Sequence, residues 1–380
     1  MARPLFFAAL LSVAVGEGYQ RSLDDFELDA PRLMRAPHVK AVHTVAPNDP
    51  ALFYSPYNWA VTPTAASSIN GGAYIRALFQ SSFANLTFDC SNMVSPVSQL
   101  YIQVDNGPMT LAPISPVIPV EIPANLTHGD VPWHTLTVLI KSTTETANRW
   151  AATGASTRVT FLGLVIDGSV APWYPASANI LIYGDSITEG VLTLGGSQPQ
   201  DTNHNDASVV YSYRLAALLG AEIGVVGFGA TGLSRGGSGG VPALGESWNQ
   251  LWEGVPRSFS PRPDLIVLNE GTNDGTTDIV AAMAAVLSNL TAACPGTPIA
   301  VLRPFNGAQA ANLQAAIAAS ANPAASTYID TAGFYDETFG GALHPTGPND
   351  VARVAPQVAA RLRPLLARGV IAAAEGGAGL

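Results

Sequence analysis

ANILIYGDSITEG, residues 178 to 190, runs from an unbroken apolar stretch into a polar turn that carries a single serine. Seven residues without helical or alternating periodicity read as a strand covered on both faces, the situation of a parallel sheet flanked by helices. The same reading recurs downstream. AEIGVVGFG (221–229), PDLIVLNEG (263–271), PIAVLRPF (298–305) and STYID (326–330) are apolar strands. Helical segments alternate with them: DASVVYSYRLAALLG (206–220), DIVAAMAAVLSNLTAA (278–293), AANLQAAIAAS (310–320) and a last helix from about Asn349. In that last helix Val351, Val354, Val358, Leu362 and Leu365 fall at helical spacing, with Pro356 and Pro364 against it. Strand–helix alternation predicts a three-layer α/β fold over residues 176–370.

Upstream the periodicity is different. AYIRALFQ, SFANLTFDC, QLYIQVDNG, HTLTVLIKS and RVTFLGLVID lie between residues 73 and 167, rich in β-branched and aromatic residues, with turn clusters such as Asp105-Asn106-Gly107 among them. No helical stretch intervenes. This predicts an antiparallel, jelly-roll-like β-sandwich over residues 40–172. Pro172 and Pro175 mark the linker between the two parts.

The chain has 380 residues, 47% hydrophobic and 12% charged, with a net charge of −10. That balance excludes disorder and disfavours a nucleic-acid or anionic-membrane surface. MARPLFFAALLSVAVG (1–16) has a basic start, an apolar centre and a small-residue end, so a signal peptide and secretion are expected, with no membrane anchor. Three sequons begin at Asn85, Asn125 and Asn289, as expected of an extracellular glycoprotein. Cys90 and Cys294 are the only cysteines, and spacing alone decides neither pairing nor its absence.

Ligands of such sheets bind beyond the carboxyl ends of the strands. Four distinctive segments fall there: Gly184-Asp185-Ser186-Ile187-Thr188, GFGATGLS (227–234), Gly271-Thr272-Asn273-Asp274, and GGALHPTG (340–347) with His344. Acyl transfer from an ester needs a hydroxyl nucleophile, a base of near-neutral pKa and donors aimed at the oxyanion. Ser186 and His344 supply the first two. The Ser186 and Gly232 N–H groups and the Asn273 amide supply the donors, with Gly229 as the rival to Gly232. Taken alone, Ser186 is equally a helix cap and Asn273 equally a turn residue. His204, in a polar loop after the nucleophile, is the competing histidine. No His pair has the spacing of a metal-binding helix, so no metal and no cofactor is expected. Trp248, Trp252 and Phe305-Asn306 fall near the rim, where they stack on a sugar or simply pack a long loop.

GDSITEG, GFGATG, GTND and HPT, in this order, resemble the four blocks of the SGNH (GDSL-type) hydrolases. The resemblance implies Ser186 as nucleophile, Gly232 and Asn273 in the oxyanion hole, and His344 as base. With a β-sandwich in front, the architecture looks like carbohydrate esterase family two. That likeness implies a secreted enzyme that removes acetyl groups from a polysaccharide or oligosaccharide. The family usually carries Asp three residues before the histidine, where this chain has Gly341. A backbone carbonyl, Asp336 or Glu337 is then left to orient the ring, or the activity is impaired. A lipase- or phospholipase-type esterase and a non-catalytic carbohydrate-binding protein on the same frame are the alternatives.

Overall fold

The parallel sheet predicted from residue 178 onward is present, with its strands within three residues of the apolar runs. The structure is a computed structural model that describes residues 41–123, 132–196, 201–335 and 343–377. Among the described residues, twelve strands precede the parallel sheet. They are β1 (His43–Val45), β2 (Phe53–Tyr54), β3 (Ala60–Val61), β4 (Ala66–Ser68), β5 (Tyr74–Gln80), β6 (Ala84–Phe88), β7 (Gln99–Val104), β8 (Thr110–Pro113), β9 (Val117–Val120), β10 (His134–Ser142), β11 (Val159–Ile166) and β12 (Ser169–Ala171). They form two antiparallel sheets. One has the order β3-β4-β11-β6-β9 with β1 also on β11; the other has the order β12-β5-β10-β7-β8 with β2 also on β5. Period-two side chains drive this arrangement: Leu86, Phe88, Phe161 and Leu164 of the first sheet face Ile75, Phe79, Leu100 and Val138 of the second in one core.

The parallel sheet is β13 (Ala178–Gly184), β14 (Ala221–Gly227), β17 (Leu265–Asn269), β18 (Ile299–Leu302) and β19 (Ser326–Ile329), after a hairpin of β15 (Gln250–Trp252) and β16 (Val255–Pro256). Its order is β14-β13-β17-β18-β19, with every pairing parallel. The apolar runs divide by parity. Leu181, Tyr183, Ile266, Leu268, Ile299 and Val301 pack under helices of residues Val280–Ala293 and Ala310–Ala319. Ile180, Ile182, Val225, Val267 and Leu302 pack against Tyr211–Leu219 and the C-terminal helix. That is why these strands show no polar face in sequence.

The last helix departs from its expected start. A short turn at Gly347–Asn349 leads into a π turn, Asp350–Val354, and the α-helix proper is Ala355–Gly377. The wide turn shifts the helical phase, so Val354, Val358 and Leu362 are buried while Val351 is 41% exposed. Pro356 falls at the second residue of that α-helix, directly after the π turn.

Lys40–Leu380 forms one compact unit. The second antiparallel sheet lies against the α/β layer: Tyr74 and Leu139 join the core of the parallel sheet. Glu222 on β14 accepts from Tyr74, from Arg76 at 2.8 Å and from the Ala176 N–H at 3.0 Å. Tyr101 donates to Asp206 at 2.8 Å. Strand order reverses between β14 and β17 around β13, so the crevice at their carboxyl ends is where a site belongs.

Candidate active site

The helix α1 (Ser186–Glu189) begins one residue beyond β13. Its N-cap is Asp185, whose side chain accepts from the Ile187 N–H at 2.9 Å. The capping role that Ser186 could have filled is therefore taken. Ser186 Oγ instead stands 2.8 Å from His344 Nε2, across a sequence gap of 158 residues. The tight turn depends on Gly184: a Cβ there would meet the Thr188 hydroxyl at 2.1 Å and the Asn269 carbonyl at 2.9 Å. Gly190 closes α1 in the left-handed region at φ 92°.

His344 stands just before the short turn at Gly347–Asn349 and is half-buried. Burial lowers its pKa, which keeps the imidazole neutral and able to accept a proton. Asn273 follows β17. Its amide donates at 2.8 Å to the Thr231 carbonyl in the loop after β14, so it touches the neighbouring block. Gly232 lies in that loop, held by Asp274, which accepts from the Leu233 N–H at 3.0 Å and the Ser234 N–H at 2.7 Å. The Gly232 N–H itself donates at 3.1 Å to the Arg235 carbonyl. The rival Gly229 donates its N–H to Glu189 at 2.7 Å. Both glycines thus spend their donors within the fold.

Beneath the serine lies a buried polar layer that the sequence reading did not single out. Thr188, Tyr211 and Asn269 are joined by hydrogen bonds of 2.8 Å on the Tyr211 hydroxyl. Burial pushes the Asp185 carboxyl up to about 6. Glu270 is raised well above the carboxylate range by burial and by Asp185 and Asp274. The signal for this layer was present in the sequence: acids adjoining an apolar strand end must be buried with it.

The other expectations distribute as follows. His204 is 38% exposed beside Asp201 and makes no contact with Ser186 among the described residues. His134 is buried on Asp105. Trp252 is 7% exposed under Arg158, and Trp248 stacks on Phe259, so both pack the loop. Phe305 packs edge-on against Tyr211. Cys90 and Cys294 are free thiols. Asn289 is exposed on its helix and Asn85 half-buried on β6, while Asn125 lies outside the described residues. So do residues 1–16, read above as a signal peptide, and Asp336, Glu337 and Gly341. Among the described residues no helix is long and apolar enough to cross a membrane, and no group of His, Cys, Asp and Glu is set to hold a metal.

Residues 182–366 match the model of the GDSL-like Lipase/Acylhydrolase family. This segment is a GDSL-type hydrolase domain. The matched segment is accordingly a carboxylic ester hydrolase domain, and the serine, asparagine and histidine blocks fall inside it. No curated protein sequence matches the chain. Among solved structures, the GDSL-type domain and the sandwich together resemble a family two carbohydrate esterase from Cellvibrio japonicus. The TM-score is 0.67 at 19% identity, over 86% of this chain and 99% of that one. A family two carbohydrate esterase from Clostridium thermocellum, in complex with cellohexaose, gives a TM-score of 0.67 at 19% identity, over 83% of this chain and 99% of that one. An acetyl xylan esterase from Butyrivibrio proteoclasticus gives a TM-score of 0.67 at 15% identity, covering 86% and 99%. At these identities the likeness establishes the fold, sandwich included.

Proposed function

We propose that the protein is a secreted serine esterase that removes acetyl groups from carbohydrate. The observation that carries this reading is the 2.8 Å hydrogen bond between Ser186 Oγ and His344 Nε2 at the switch point of the sheet. His344 takes the hydroxyl proton as Ser186 attacks the acetyl carbonyl. The Ser186 N–H, the Asn273 amide and the Gly232 N–H receive the oxyanion, Gly232 by releasing or sharing its bond to Arg235. His344 then protonates the departing sugar oxygen, leaving acetyl-Ser186. Water, deprotonated by the same imidazole, attacks the acyl-enzyme and frees acetate. No step calls for a metal or an organic cofactor.

Carbohydrate as the alcohol is supported by the architecture, since the resemblance to family two carbohydrate esterases extends across sandwich and hydrolase domain together. Secretion and glycosylation at Asn85, Asn125 and Asn289 belong to the same reading and rest on the sequence. In this reading a backbone carbonyl, in place of the carboxylate missing at Gly341, orients the ring, and Ser186 and His344 work as a dyad.

The test is acetate release from acetylated xylan and glucomannan, compared with release of long acyl chains from lipid esters. The expected result is acetate release that Ser186→Ala abolishes. Preference for long chains would make the protein a lipase-type esterase. Failure of a serine-reactive phosphonate to label Ser186 would make it a binding protein on a hydrolase frame.

A further inference from the structure

The segment 143–150, which leaves β10 (His134–Ser142), sends two charged side chains into the α/β layer. Arg149 is fully buried and Glu145 is 6% exposed. The Arg149 guanidinium meets Glu189 at the end of α1 with a two-pronged bond, Nη1 to Oε1 and, at 3.1 Å, Nη2 to Oε2. Its Nε donates at 3.3 Å to the Ser238 carbonyl, and the group lies 5.0 Å over the Phe228 ring. Glu189 Oε2 in turn accepts the Gly229 N–H at 2.7 Å. Glu145 closes the cluster from the other side: a Cβ on Gly229 would stand 1.7 Å from its Oε1. Three segments therefore converge around Gly229: the sandwich, the nucleophile helix, and the loop that carries Gly232.

We propose that Glu145, Arg149 and Glu189 form a buried clamp on Gly229 that positions the 228–232 loop for oxyanion binding, so that the sandwich sets the catalytic rate. This deepens the serine-esterase reading and rests on it. The three side chains are positioning residues. None of them reaches the reacting atoms; they act through the loop.

The clamp holds two carboxyls and one guanidinium, so it is balanced only while one carboxyl keeps a proton. Burial and the Glu189 charge, outweighing Arg149, push Glu145 up to about 9. The charged groups facing it among the described residues are Glu189 from α1 and Arg149 from its own segment. The Glu145 carboxyl therefore holds its proton more tightly than a free one, in hydrogen-bond contact with Glu189. When it ionises, two carboxylates repel beside Gly229 and the loop loosens.

The experiment is the pH dependence of kcat and KM on p-nitrophenyl acetate, together with the labelling rate by a serine-reactive phosphonate. Wild type, Glu145→Gln and Glu189→Gln are compared. Wild-type kcat should fall on an alkaline limb near pH 9, with KM little changed. Glu145→Gln mimics the protonated acid; it should keep the pH 7 rate within about threefold and lose that limb. Glu189→Gln should lower kcat by about 10–100-fold, less than or up to the roughly 10²–10³ cost of losing an oxyanion donor outright. If Glu189→Gln does not fold, the Glu145→Gln profile decides. An unchanged alkaline limb in Glu145→Gln, or a folded Glu189→Gln with wild-type kcat, overturns the clamp while Ser186-dependent hydrolysis stands. Absence of any Ser186-dependent turnover or labelling overturns the esterase reading and the clamp with it.

Discussion

Asn273→Ala should lower kcat by about 10²–10³ while leaving KM nearly unchanged. The Asn273 amide carries two N–H bonds, and the carbonyl of Thr231 accepts one of them at 2.8 Å. That bond fixes the amide plane, so the second N–H is held without a further entropy cost when the oxyanion forms. In the ground state the substrate carbonyl oxygen is a weak acceptor. In the tetrahedral intermediate it carries a full charge. A donor of this kind is worth about 2.7–4 kcal/mol of transition-state stabilisation, which is the stated rate factor. The mutation also removes the link to Thr231, a loss of about 0.5–1.5 kcal/mol in stability. The two effects separate in assay: steady-state hydrolysis of p-nitrophenyl acetate reads the first, and urea unfolding reads the second. A folded Asn273→Ala enzyme with kcat within tenfold of wild type, or a loss confined to KM, would refute the oxyanion role and leave Asn273 as a loop fastener.

The remaining predictions concern the base, its orientation and the join between the layers. Burial lowers the pKa of His344 in the fold, so kcat/KM should rise with pH through a value below the usual imidazole 6.5 and be flat at pH 7, as a bell-curve measurement will show. Asp336→Asn and Glu337→Gln should each leave kcat within about threefold. A fall of about 10⁴ in either would identify a carboxylate that orients the ring. Glu222→Ala should lower the urea midpoint by an amount equivalent to roughly 3 kcal/mol, because Arg76 and Tyr74 lose a partner that is 3% exposed. A midpoint within error of wild type would show that the Glu222 contacts add nothing to the join between the sandwich and the parallel sheet.

The fold was legible because both halves announce their period. The runs ANILIYG and HTLTVLIKS coincide with β13 and β10 residue for residue. The site was legible because its residues follow strand ends, where an α/β sheet has no choice but to gather them. Ser186 and His344 meet as that geometry requires. The donor glycine was not legible in the same way. Which N–H of GFGATG is free depends on who accepts the others, and those acceptors, Glu189 and Arg235, are matters of three-dimensional register. The π turn at Asp350–Val354 was hidden for a related reason: one residue of extra winding leaves the composition of the helix unchanged while turning Val351 outward.

The clamp lay in plain view as letters and was still unreadable, because Glu145 and Arg149 in a sandwich loop look like solvent-facing charges. One signal did exist. β10 alternates over its first half, then becomes buried without a break from Val138 to Ser142. A strand of an antiparallel sheet that loses its polar face at one end is covered there by a second layer. Lys141, buried at that end, donates at 2.8 Å to the Asn205 carbonyl in the loop beyond the nucleophile. The segment following such a strand must enter the same dry interface. Any charge it carries needs a partner from the other layer, since an unpaired one would be unaffordable there. Read this way, TETANRW after β10 calls for an acid in the hydrolase half to meet its arginine, and the glutamate of GDSITEG is the one that stands at the interface. The motif that marks the nucleophile therefore also carries the anchor for the domain before it.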